Sequence, residues 1–83
     1  MPCTAHVATI AAYPIKDELG GGFRGVFKKV GEERVPSDRF DTLEAAKHWA
    51  QRQAWDAYGK ADGYALAPLR RRGEYQANVW IAA

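Results

Sequence analysis

The chain has 83 residues, 12 of them basic and 10 acidic, for a net charge of +2. That length suits one small domain with a thin core, and the 47% hydrophobic content argues against disorder. The single cysteine, Cys3, excludes an internal disulfide, and no Cys/His spacing suits zinc.

Residues 6–15 include Val7, Thr9, Ile10, Tyr13 and Ile15, the β-branched and aromatic types that favour a strand, and Pro14 marks its end. A polar loop over residues 17–22 closes in Gly20-Gly21-Gly22. These glycines serve a chain reversal and not a phosphate loop, because no Lys-Ser/Thr follows them. Residues 23–30 form a second strand. Alternation sets Arg24, Val26, Lys28 and Val30 on one face and Phe23, Gly25, Phe27 and Lys29 on the other. A tight turn at Gly31-Glu32-Glu33 leads into a short third strand over 34–40, which Pro36 assigns to an edge or an irregular position.

Phe40-Asp41-Thr42-Leu43-Glu44-Ala45-Ala46 then reads as a strand end, a cap and the start of an Ala-rich helix. Asp41 or Thr42 accepts from an early helical N–H, and Glu44 favours the positive helix end. The predicted helix runs from about 43 to about 58, stopped by Gly59. At about 100° per residue, Leu43, Ala46, Ala50, Ala54 and Ala57 share one face. Side chains this small let the helix lie close to a sheet, so the large groups must come from the sheet: Ile10, Phe23 or Val26, Phe27 and Val30. Trp49 flanks the stripe, while Glu44, His48, Gln51 and Arg52 make the wet face. Trp55 falls on the polar side, to be covered by another segment or exposed for a partner. Residues 64–69 and 75–82 alternate as a C-terminal hairpin with Arg70-Arg71-Arg72 at its tip. The predicted fold is α+β. An antiparallel sheet of three to five strands carries one helix on one face, in the order β-β-(β)-α-β-β.

The residues offer no paired acid–base groups and no nucleophile with its base, so a non-enzymatic module without cofactor is expected. His6 and His48 read as surface histidines. No signal peptide and no membrane-length apolar run is visible, which points to the cytoplasm and to no membrane partner. Two features carry charge that could meet a partner. Arg24, Lys28 and Lys29 lie in one strand, and an open face of long cations either contacts phosphates or is a solvated surface that discourages aggregation. Arg70, Arg71 and Arg72 suit phosphate or carboxylate contacts, or keep a turn soluble. The aromatics Trp55, Tyr58, Tyr64, Tyr75 and Trp80 either stack bases or pack the hairpin against the helix end.

Residues 22–53 resemble the arm-type DNA-binding domains of phage and mobile-element tyrosine integrases. The matching residues are Phe40, Asp41, Thr42, Ala46 and Trp49, preceded by the basic strand Phe23-Arg24-Gly25-Val26-Phe27-Lys28-Lys29. In that family the sheet enters the major groove. The resemblance implies contacts from Arg24, Lys28 and Lys29, plus Arg34 across the hairpin. The expected function is therefore binding of DNA or RNA through an open sheet face and a basic hairpin tip. The alternative is a protein-interaction or self-association domain that uses Trp55 and an exposed sheet edge.

Overall fold

A computed structural model of the chain describes residues 4–16, 21–71 and 73–82. The expectations for Cys3, Gly20 and Arg72 lie outside the described residues, as do those for the side chains of Arg70 and Arg71. In chain order the elements are β1 (Thr4–Pro14), β2 (Phe23–Lys29), β3 (Val35–Phe40), α1 (Leu43–Tyr58), β4 (Ala65–Arg71) and β5 (Glu74–Ala82). The strands form one antiparallel sheet in the order β3-β2-β1-β5-β4.

The predicted α+β architecture is the one observed. β1 is the central strand, and its side chains at Ala8, Ile10 and Ala12 are fully buried. The helix is the crossover that carries the chain from one edge of the sheet to the other. Because every pairing is antiparallel, β3 and β4 run in the same direction, so α1 must return the chain along the sheet. Its 16 residues span about 24 Å, enough for that return. Both edge strands contain a proline, Pro36 in β3 and Pro68 in β4. That is the position a sheet tolerates best, since proline cannot donate to a ladder.

The helix starts where its cap predicts. Thr42 is extended (φ −133°, ψ 154°), and its Oγ1 accepts from the Ala45 N–H at 3.1 Å. Thr42→Ala is expected to cost about 1 kcal/mol, read as a lower midpoint in urea with unchanged slope. Ala46, Ala50 and Ala54 are fully buried, and they face a sheet surface built from Ala8, Ile10, Phe27, Ala77 and Val79. The approach is close at Gly25. A Cβ there would sit 2.7 Å from both the Ala46 carbonyl oxygen and Cε3 of Trp49. Trp49, Tyr58, Tyr64, Leu66 and Tyr75 close the rim of this thin core.

Several packing expectations are corrected. Ala57 is exposed; the buried stripe continues instead to the partly buried Tyr58, because a step of four residues keeps closer to the stripe than a step of three. Val30 is 57% exposed at the end of the β1–β2 pairing. Val26 is 8% exposed, yet it stands on the face turned away from the helix. Gln51 is not on the wet face, since its Nε2 donates to the Tyr75 hydroxyl at 3.2 Å. Gly59 ends the helix in ordinary helical conformation (φ −60°, ψ −24°), so it does not act as a left-handed cap. It leaves room for the Trp55 ring, which a Cβ at that position would overlap.

Candidate functional site

Strand register places the basic residues. On β2, Arg24 stands opposite Tyr13 of β1 on one side and Arg39 of β3 on the other. Val26 lies opposite Ala11 and Pro36, and Lys28 opposite Thr9. These residues share the sheet face that the helix does not cover. Thr9, Ala11, Tyr13, Val26, Lys28 and Arg34 line a shallow groove there of about 200 Å³. Arg34 precedes β3, and its guanidinium reaches across β2 to donate to the Tyr13 hydroxyl at 3.0 Å. That reach covers Val26, which explains how an apolar residue on the open face stays buried.

Arg39 is the residue that simple alternation misses. In an unbroken strand, Arg34 and Pro36 would face opposite to Arg39. The β2–β3 register shifts between Arg24 and Val26, so that Ser37 and Asp38 together oppose Gly25. Buried Ser37 repairs the ladder there: its Oγ accepts from the Gly25 N–H at 2.8 Å and donates to the Asp38 carbonyl at 2.7 Å. The extra residue turns Arg39 onto the same face as Arg34. Glycine at position 22 leaves space for the Arg39 stem, since a Cβ would lie 2.9 Å from Arg39 Cγ.

The result is a cationic cluster of Arg24, Arg34, Arg39 and Lys28 on one face of the sheet, with Tyr13 beside Arg24 and bonded to Arg34. Among the described residues none of the four forms an ion pair with a carboxylate, and the ion pair present is Arg52–Asp56 at 3.7 Å on the exposed helix surface. Two arginines directly opposite each other on a sheet repel. The Nε of Arg24 is, moreover, buried without a hydrogen-bond partner. Both features carry an energetic cost that the bare fold does not need.

The other expected site residues fall elsewhere. Lys29 stands on the helix side of the sheet, in a groove of about 230 Å³ with Phe27, Glu32, Glu33, Val35 and Gln53, so it is not part of the open face. Arg70 and Arg71 end β4 in register with Tyr75 and Glu74, at the end of the sheet where Tyr13 and Arg24 also lie. Trp55 is 54% exposed, and the edge of Tyr64 meets it at 5.5 Å and 79°. Burial pushes the Tyr64 phenol above its ordinary value, with the neighbouring Tyr75 adding to the rise.

The open face carries a second group at its opposite end. His6 pairs with Trp80 across β1 and β5, ring centroids 5.3 Å apart. The His6 Nε2 lies 3.1 Å from the Thr9 hydroxyl, which donates to Asn78 Oδ1 at 3.4 Å. A register shift between His6 and Ala8 brings His6 onto this face while Val7 packs against the core.

Among the described residues, no helix is long and apolar enough to cross a membrane, and no cluster of three or more His, Cys, Asp or Glu could hold a metal ion. Compared with known proteins, the chain matches no family model, no curated protein and no solved structure.

Proposed function

We propose that this chain is a small non-enzymatic module that binds nucleic acid through the face of its sheet opposite the helix. The observation that carries the reading is the cluster of Arg24, Arg34, Arg39 and Lys28, gathered by strand register and, among the described residues, unpaired with carboxylates. A solvated surface has no need for two arginines face to face, whereas a polyanion compensates their repulsion and releases its own counterions. Arginine also offers a planar fork of donors suited to phosphate oxygens. The end of β4 at Arg70 and Arg71 extends the same end of the sheet.

The alternative, a protein or self-association surface, has the half-exposed Trp55 in its favour. Against it, Trp55 already packs against Tyr64 and over Gly59 of its own chain, and both sheet edges carry proline, which opposes strand addition.

Titration with a short nucleic acid at several salt concentrations tests the proposal. Affinity is expected to fall steeply with salt, and Arg24→Ala is expected to lower the slope of log K against log salt by about one unit. Absence of binding at low salt to both duplex and single strands would end this reading.

A further inference from the structure

We infer that the preferred ligand is single-stranded nucleic acid, with its phosphates on the arginine cluster and a base stacked on the His6–Trp80 pair. This rests on the proposed function and narrows it. Two observations on the open face point to a single strand.

The first is width. The basic strand β2 lies inside a five-stranded sheet, not in a free two-stranded ribbon. Five strands spaced about 4.8 Å apart measure about 19 Å between the edge strand axes, against a major groove about 12 Å wide. A face of that breadth cannot enter the groove, and a duplex laid against it would present only its backbone.

The second is the aromatic pair. His6 is exposed and lies beside the partly buried Trp80, with the two ring planes inclined at 37°. The Thr9 hydroxyl beside its Nε2 steadies the imidazole. Rings held on a sheet surface are the platforms on which unpaired bases stack, and a base-paired stack cannot offer its faces to them. From His6 to Tyr13 the face runs roughly 20 Å at the usual rise per residue. Thr9, Lys28, Asn78 and Gln76 lie along it, so rings, amides and cations follow one line suited to an extended strand.

The experiment compares fluorescently labelled oligothymidylate of roughly 12 nucleotides with a blunt duplex of equal length, by anisotropy at low salt. The single strand is expected to bind at least about ten-fold more tightly. His6→Ala and Trp80→Ala are each expected to weaken it about five-fold or more while leaving the salt slope unchanged, and Trp80→Phe to retain most of the affinity. Should Trp80→Ala lose its fold, the exposed His6 carries the same comparison. Equal or tighter binding of the duplex, or ring variants within two-fold of the parent, overturns the inference while leaving the proposed function standing. No binding to either probe removes both.

Discussion

Gly25→Val is expected to destabilise the protein by at least about 3 kcal/mol and to lower its thermal midpoint by more than about 12 °C. The reason is the close approach of α1 to β2. The first carbon of any side chain at position 25 would lie 2.7 Å from a backbone oxygen of the helix and 2.7 Å from the Trp49 ring. A backbone carbonyl cannot step aside as a flexible side chain can, so the whole helix must lift. Lifting it opens the contacts of Ala46, Ala50 and Ala54, whose small side chains cannot reach across a wider gap. A chain of this length is expected to have roughly 4–12 kcal/mol of stability in all, so the variant approaches the limit of folding. Gly31→Ala supplies the contrast. A Cβ at Gly31 meets nothing within 4 Å, but φ is +83°, so only the local conformational cost of about 1 kcal/mol applies. If thermal melts showed the two variants equally stable, close helix packing at Gly25 would not be what holds this fold.

Charge reversal at Arg39 should move stability and binding in opposite directions. Arg39→Glu converts a repulsive cross-strand pair with Arg24 into an attractive one and places an acceptor near the orphaned Arg24 Nε. The expected gain is about 0.5–1 kcal/mol, seen as a thermal midpoint higher by several degrees. The same change removes one cation from the open face and neutralises a second. The salt slope of nucleic-acid binding should fall by about two units, and affinity near physiological salt by about ten-fold or more. A bland solvated surface predicts the stability gain alone. A variant that is more stable and binds as well as the parent would therefore remove the cluster from the interface.

The extent of the helix is legible in the sequence because its signals are local. Asp41 or Thr42 as cap, of which the structure selects Thr42, Glu44 in the first turn and alanines at helical spacing all fall within one short window. The presence of strands was likewise legible from β-branched alternation, and Pro36 announced an edge or irregular strand; β3 is an edge with a break in register. Strand order was not legible, because nothing in β1 records that β5, some seventy residues away, will lie beside it. The candidate site divides in the same way. Arg24 and Lys28 follow from alternation within β2, which also sets Lys29 on the far face, as observed. Arg39 depends on one extra residue at Ser37 and Asp38, and a bulge of that kind depends on its partner strand. His6 came to the open face through a second break in register, opposite β5, so its meeting with Trp80 was equally hidden.

Pro36 and Pro68 have a consequence beyond their own strands. A pleated layer with one uncovered surface invites fibre growth, because a second molecule can continue the hydrogen-bonded ladder at either margin. Here each margin is interrupted by a residue without an amide hydrogen. Copies at high local concentration can thus stand flank to flank without fusing into a continuous cross-β array, and the chain can keep its broad side bare.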